Sequence, residues 1–154
     1  MESVVIKTKD CKLYTVSNDI YNQMYLLKNL LQDIDGGTSE EIPINVTGDL
    51  FEVITKYLEQ HKLDEPLSNE YIDDIYQTDV TKITDWDREY IKDFPRKTLE
   101  DLIEASEFLN IRRFTDLCCY QYAEIIKNFS EDEFNEFKKE LPPDFLEVND
   151  NQIM

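Results

Sequence analysis

The sequence predicts a mixed fold in which three short strands near the N-terminus precede a longer series of amphipathic helices. Strands are indicated where apolar and polar residues alternate, and helices where apolar residues recur every three or four positions. The chain has 154 residues, and 41% of them are hydrophobic. A chain of this length and composition can bury a core without disulfides or metals.

The first two strands form a predicted hairpin. Val4 and Ile6 share one face of the segment 3–8, a polar turn follows, and the segment 12–16 returns. A third strand is predicted where Ile42, Ile44 and Val46 alternate with polar residues and Pro43. Because proline cannot donate a ladder hydrogen bond, we expect this strand at a sheet edge.

The helices are predicted from apolar stripes and from capping residues. Ser17, Thr47 and Thr98 are of a type that caps helices, and Ser130 with Glu133 fits a capping box. The helix after Thr47 has the clearest stripe, made of Leu50, Phe51, Ile54, Tyr57 and Leu58. The polar stretch 63–82 is predicted to be a solvated excursion between two helical sections.

The charge balance excludes several classes of partner. Lys plus Arg number 16 and Asp plus Glu number 34, so the formal net charge is -18. Such a field repels nucleic acid and anionic membranes and attracts basic protein surfaces. We also expect no transmembrane span and no signal peptide, since no apolar run is long enough. Three cysteines, Cys11 and the adjacent Cys118 and Cys119, favour a reducing compartment, the cytoplasm and nucleus.

The sequence offers little for catalysis or metal binding. His61 is the only histidine, and we expect it to be exposed at a helix end and not to act as a base. No zinc spacing or phosphate loop is present, and the segment 33–36 (Asp-Ile-Asp-Gly) lacks the remaining ligands of a calcium loop. Cys118 and Cys119 are predicted to be structural thiols. We therefore expect no enzyme, no cofactor and no metal.

The helical C-terminal part contains more aromatic residues than one core needs. These residues are Phe108, Tyr120, Tyr122, Phe129, Phe134, Phe137 and Phe145. Their number, close to the helix-ending pair Pro142 and Pro143, predicts a groove that accepts a partner helix.

Two motifs carry a resemblance to a known family. They are Trp86–Ile91 (WDREYI) and Thr98–Ile111 (TLEDLIEASEFLNI), supported by Ala123–Ile126, Ser130–Glu133 and the pair Asp144-Phe145. In these motifs and in the order of its elements, the chain resembles the Skp-family adaptor of Skp–cullin–F-box ubiquitin ligases. That adaptor is a relative of elongin C and other BTB/POZ domains.

The resemblance implies a fold, a division into domains and a function. The fold is α+β and BTB/POZ-like, with a small three-stranded sheet against a helical cluster and a C-terminal helical extension. The domain would span 1–128, the extension 129–145 and a flexible tail 146–154. The implied function is that of a non-enzymatic adaptor that links a cullin scaffold to F-box-type substrate receptors.

The resemblance also implies which residues face each partner. Glu107 and Phe108 would face the cullin. The F-box-facing residues would be Tyr122, Ile126, Phe134, Phe137 and Phe145. The chain departs from the family pattern at Glu107 (usually Asn), Ser106 (usually Ala) and Arg113 (commonly Gly).

Two alternatives remain open at this point. The sequence stops before the family's final helix with its Trp-Cys ending, so the protein could be a decoy or regulator that binds cullin without productive F-box binding. It could also be a self-associating BTB/POZ module, forming a weak homodimer through its hairpin and first helices.

Overall fold

The computed structural model describes residues 3–32, 41–64 and 83–141 of the chain. The strands are β1 (Ser3–Lys7), β2 (Leu13–Ser17) and β3 (Ile42–Pro43). The helices are α1 (Asn18–Tyr21), α2 (Tyr25–Gln32), α3 (Gly48–Gln60), α4 (Asp85–Ile91), α5 (Arg96–Leu109), α6 (Arg112–Lys127) and α7 (Glu131–Glu140). The expected combination of a small three-stranded sheet with a mainly helical remainder is confirmed.

The sheet has the order β2-β1-β3, so the strand that contains Pro43 lies at an edge as predicted. β1 and β2 are antiparallel with Ser3 opposite Ser17, whereas β3 runs parallel to β1 with Ile6 opposite Ile42. Ile42, Ile44 and Val46 are all buried, while Pro43 and Asn45 are exposed. The sequence alternates in the segment 42–46 because one face of this segment is buried and the other is exposed.

The hairpin turn also organises the start of α3. The backbone N–H of Gly48 donates to the Asp10 carboxylate at 2.9 Å, while Thr47, the N-cap residue, makes no side-chain cap bond. The Thr8 hydroxyl donates to the same carboxylate at 2.6 Å. Hydrogen bonds from Thr8 and Gly48 lower the pKa of Asp10 below its ordinary value. An acidic residue from the turn thus takes the place of a local cap.

The core lies where the helices cover one another and the sheet. Helix α5 packs against α3 and α2. The largest fully buried side chains are Ile6, Met24, Leu27, Phe51, Ile54, Leu58, Ile91, Leu99, Leu102, Leu109, Phe114 and Leu117. They come from β1, from the turn between α1 and α2 (Met24) and from the five helices α2 to α6, so residues distant in sequence share one apolar interior.

One predicted helix start is wrong, and another is right in place but lacks the side-chain cap bond. Helix α5 begins at Arg96 after Pro95, so Thr98 lies inside the helix and does not cap it. Pro95 has no N–H to leave unsatisfied, and its fixed φ suits a helix entry. Ser17 precedes α1 but makes no side-chain cap bond. The capping box of Ser130 with Glu133 at α7 is confirmed, and Thr84 with Asp87 forms a second box at α4.

The chain divides into two compact units, Met1–Gln121 and Tyr122–Met154. The predicted boundaries, with a domain over 1–128 and an extension over 129–145, stay a prediction. The predicted tail 146–154 lies outside the described residues, as do the segment 33–36 and most of the polar stretch 63–82. Within the described part of the chain, no helix has the length and apolar character to cross a membrane.

Candidate functional site: an acidic aromatic surface and an aromatic cluster

Phe108 projects from the side of α5 that is turned away from the core. The buried residues of this helix are Leu99, Leu102, Ala105, Ser106 and Leu109. Phe108 is 41% exposed, and Glu107 and Glu104 are exposed as well. We call Glu104, Glu107 and Phe108 the Phe108 surface. A large exposed aromatic side chain in this setting can fill a pocket on a partner protein.

Ser106 does not belong to that surface, although it stands next to Glu107. Its side chain is fully buried, and its hydroxyl lies 2.7 Å from the hydroxyl of Thr115 on α6. The same hydroxyl donates to the Ile103 carbonyl at 3.1 Å. The serine that departs from the family pattern therefore joins α5 to α6 inside the unit, and only Glu107 alters the surface.

The turn between α5 and α6 fixes the direction in which Phe108 points. Asn110 adopts the left-handed conformation at φ 58, and its N–H bonds back to the carbonyls of Ser106 and Glu107. Asparagine tolerates this conformation better than most residues. The N–H of Ile111 bonds to the Ser106 carbonyl at 2.9 Å, and Ile111 is buried immediately after the turn. The end of α5 is therefore closed by backbone bonds.

The unit Tyr122–Met154 holds a second candidate site, built around Phe137 on α7. The ring of Phe137 lies 6.3 Å from that of Tyr122, 5.9 Å from that of Phe129 and 6.3 Å from that of Phe134, measured between centroids. We call these four rings the aromatic cluster. Separations of this size are favourable for aromatic pairs. The Lys138 ammonium lies 4.9 Å from the centroid of Phe134.

The aromatic cluster is only partly shielded from solvent. Phe134 is 38% exposed, and Tyr122, Phe129 and Phe137 are half-buried. Helix α7 contains no buried residue at all. The structure thus brings together three of the expected F-box-facing residues, Tyr122, Phe134 and Phe137, and adds Phe129. Ile126 is half-buried one helical turn after Tyr122, and Phe145 lies outside the described residues.

Phe129 was counted among the aromatic residues in the sequence but not among the site residues. It lies in the connection between the end of α6 at Lys127 and the N-cap Ser130 of α7. Its ring contacts α7 because the chain turns at this point. The backbone bond from the Phe129 N–H to the Ile126 carbonyl, at 3.1 Å, is part of this turn. A periodic pattern along either helix would not have found it.

A third set of functional groups surrounds His61, and here the expectation of an exposed histidine is wrong. His61 is only 6% exposed, directly after α3. Its Nδ1 lies 2.5 Å from an oxygen of Asp64, and its Nε2 lies 2.5 Å from an oxygen of the buried Asp87. The imidazole also packs on Tyr57, with centroids 4.4 Å apart. We call His61, Asp64 and Asp87 the His61 network.

The two carboxylates determine the charge of His61. Burial alone would lower its pKa, but the hydrogen bonds and charges of Asp87 and Asp64 outweigh burial and raise the pKa above the ordinary 6.5. Burial would raise the pKa of Asp87, but the bonds from His61 and from the Thr84 N–H lower it on balance. Between pH 3.8 and pH 6.5 the pair is therefore mainly an imidazolium and a carboxylate. With both ring nitrogens bonded, this histidine has no nitrogen left to act as a base.

The remaining candidates for chemistry behave as structural groups. Cys118 is buried, and burial raises the pKa of its thiol well above the ordinary value. Cys119 is exposed, whereas both thiols were expected to be buried or half-buried. Partial desolvation of its sulfur, together with the carboxylates of Asp116 and Glu107, raises its pKa too. Raised values keep both thiols protonated and unreactive. Among residues 3–32, 41–64 and 83–141, no His, Cys, Asp and Glu side chains are grouped so as to hold a metal ion.

Known proteins similar to this chain agree on one family. No protein-family model matches the chain. SKP1-like protein 9 of Arabidopsis thaliana is 30% identical over 137 residues, which cover 88% of this chain and 82% of the relative. The chain belongs to the SKP1 family. The resemblance drawn from the motifs is thereby confirmed.

Other members of the SKP1 family match over almost the full chain. The S-phase kinase-associated protein 1 homolog of Tetrahymena thermophila is 29% identical, covering 92% of this chain and 84% of the relative. A protein of Talaromyces marneffei named E3 ubiquitin ligase complex SCF subunit sconC is 28% identical over 151 residues, with 97% and 91% covered. The similarity thus includes both the Phe108 surface and the aromatic cluster.

Proposed function

We propose that the protein is an adaptor subunit of an SCF-type ubiquitin ligase in the cytoplasm and nucleus, and that it performs no chemistry itself. It would hold a cullin scaffold at the Phe108 surface and an F-box-type receptor at the aromatic cluster. Joining the two raises the effective concentration of the receptor's substrate near the ligase. Support comes from its SKP1 family membership and from a relative named as an SCF subunit.

The observation that carries the proposal is that Phe108 is exposed. The residue is 41% exposed in a helix in which Leu99, Leu102 and Leu109 are buried. The adjacent exposed residues Glu104 and Glu107 are charged and do not shield the ring from water. A pocket on a partner would remove most of the exposed ring area from water. Truncation of such an anchor typically costs about 2 kcal/mol or more of binding free energy.

The aromatic cluster supports the second half of the proposal. Four rings meet around Phe137, yet α7 has no buried residue. An apolar cluster of this kind is completed when a partner helix covers it, because the apolar area still exposed is then removed from water. A short amphipathic helix, with its apolar face toward the rings, is the kind of partner that fits the aromatic cluster.

A titration with both partners tests the proposal. We would measure by calorimetry the affinity of the full chain for the cullin N-terminal region and for an F-box protein of the same organism. Phe108→Ala should weaken cullin binding by about thirtyfold and leave F-box binding intact. Phe134→Ala should do the reverse, so each variant is the control for the other.

Leu63→Ala provides a further control, because Leu63 is a 92% exposed apolar residue after α3, outside both surfaces. It should leave both affinities unchanged. Failure of the wild-type chain to bind either partner at micromolar concentration would refute the adaptor function. If every variant lost affinity for both partners to the same extent, the chosen residues would act through the stability of the fold alone.

A second candidate function is self-association, which three exposed leucines favour. Leu13 of β2 is 55% exposed, and Leu26 and Leu30 of α2 are 38% and 46% exposed. They belong to the hairpin and first helices that a homodimer would use. Sedimentation at several concentrations tests this candidate: a monomer at high concentration removes it, and a dimer that Leu30→Glu disrupts would support it.

A further inference from the structure

Helix α5 has a cation for each acidic side chain in its first half and none in its second. Near its start, Arg96 pairs with Glu100 at 3.7 Å and Lys97 pairs with Asp101 at 3.4 Å. One turn later, Glu104 and Glu107 are exposed, and neither has an ion-pair partner within the described ranges.

The position of Glu104 and Glu107 is unfavourable for the isolated protein. They lie near the C-terminal end of α5, where the free carbonyls give the helix a partial negative charge, and the last turn contains no basic residue. Glu104 also stands one turn from Glu100 and from Glu107, so like charges repel along one stripe. Local charge therefore works against the helix at this one place, which is typical of a functional site.

Among the described residues of the same unit, no cation forms an ion pair with either carboxylate. The closest arginines along the chain are engaged elsewhere: the Arg112 guanidinium lies 3.0 Å from Asp116, and that of Arg113 lies 3.4 Å from Asp64. Burial, Asp116 and Glu107 raise the pKa of the Cys119 thiol, whereas Arg112 lowers it. The charge of Glu107 is therefore felt at the neighbouring α6.

These carboxylates border the exposed ring of Phe108. Glu107 precedes it directly, and Glu104 lies one helical turn before it on the same stripe. An aromatic anchor with charged neighbours is the usual layout of a binding surface, in which the ring is buried at the centre and the charges meet the partner's charges at the rim.

We propose that Glu104 and Glu107 are specificity-determining residues, which select a partner whose pocket for Phe108 is bordered by lysine or arginine side chains. This inference rests on the proposed function, because the partner at this surface is the cullin scaffold. A second copy of the chain does not fit the same requirement. With a net charge of -18, a copy would bring further negative charge to the surface.

The test uses the full chain with Glu107→Gln, Glu104→Gln and both together. Glu89→Gln on α4, whose side chain is 73% exposed and bonded to Lys92, is the matched control for each single variant, because it changes the net charge by the same amount. Glu89→Gln combined with Glu59→Gln, whose side chain is 57% exposed and paired with Lys62, is the matched control for the double variant. Association with the cullin N-terminal region of the same organism would be followed at several salt concentrations. The stability of each variant would be measured by urea unfolding.

The double variant should associate about tenfold more slowly at low salt, with a weaker salt dependence than the wild type and the control. Its unfolding midpoint in urea should stay equal or rise, because an unfavourable charge has been removed from the helix end. Binding and stability would then change in opposite directions, which a structural role of the glutamates cannot produce.

Each other outcome overturns the inference in a recognisable way. If the double variant binds like its charge-matched control while Phe108→Ala still weakens binding, the inference fails and the adaptor function stands. If stability and association fall together, the glutamates act through the fold. If the wild type does not bind the cullin region, the inference and the cullin half of the proposed function fail together.

Discussion

Replacing His61 by glutamine should destabilise the protein by about 3–5 kcal/mol near pH 6, because the change leaves a buried carboxylate without its cation. Asp87, the partner of Nε2, has a side chain only 2% exposed. Its second oxygen accepts the Thr84 N–H at 3.0 Å in the capping box of α4. Glutamine cannot carry the positive charge that balances Asp87 in the interior.

The other carboxylate of the His61 network should matter much less. The Asp64 side chain is 45% exposed, and it also lies 3.4 Å from the Arg113 guanidinium. Water and arginine therefore solvate it when the histidine is absent, and an exposed pair contributes at most about 1 kcal/mol. Asp64→Asn should thus cost about 1 kcal/mol or less. The two variants should differ in their loss of unfolding free energy because Asp87 is buried, whereas Asp64 is half-exposed and lies close to Arg113.

The same network predicts how stability depends on pH. The folded pKa of His61 lies above 6.5, so its contribution is complete below pH 6.5 and is lost as pH rises through the folded value. The pKa of Asp87 is lowered, so its contribution is lost as pH falls below the ordinary 3.8 toward the folded value. Between these limits the network stabilises most, and His61→Gln should remove the decline on the alkaline side.

The assay is urea unfolding followed by tryptophan fluorescence between pH 5 and pH 9. Trp86 is the only tryptophan, and its ring centroid lies 6.2 Å from that of His61, so the signal comes from the network itself. Asp64→Asn stays measurable even if His61→Gln proves too unstable. The reasoning is refuted if His61→Gln unfolds within 1 kcal/mol of the wild type near pH 6, or if wild-type stability does not decline above pH 6.5.

Three further substitutions test other parts of the fold, each by urea unfolding. Phe108→Ala should leave stability within about 1 kcal/mol of the wild type, whereas Phe114→Ala in the core should cost about 3–5 kcal/mol; similar costs would place Phe108 in the core. Asp10→Ala should lower the urea midpoint and speed amide exchange at Gly48, and unchanged exchange would contradict the capping role. Ser106→Ala should cost about 1 kcal/mol through the lost link between α5 and α6, and a neutral result would make that link dispensable.

Several elements could be predicted from the sequence because their causes are local. The alternation around Val4 and Ile6 requires only that neighbouring side chains point to opposite faces of a strand. The stripe after Thr47 requires only the helical repeat, and the box of Ser130 with Glu133 requires residues three positions apart. The exposure of Phe108 was expected from the family motif, which carries information about a partner that periodicity does not contain.

Other features could not be predicted because their causes lie far along the chain. His61 looked exposed since its immediate neighbours are polar, yet Asp87, 26 positions later, encloses it. Thr47 looked like a cap, yet Asp10 in the hairpin turn, 38 positions before Gly48, supplies the oxygen. Thr98 looked like a cap because its residue type is right, but Pro95 had already started the helix.

The order of apolar and polar residues by itself thus determined which segments are strands and helices and which family the motifs resemble. Only the tertiary structure decided which charges are paired. It gave Asp87 a buried cation, joined Asp10 to the start of α3, and left Glu104 and Glu107 beside Phe108 with no ion-pair partner among the described residues. The physical reason is that secondary structure responds to neighbours within a few residues, whereas burial and ion pairing depend on distances in space, which exist only after the chain has folded.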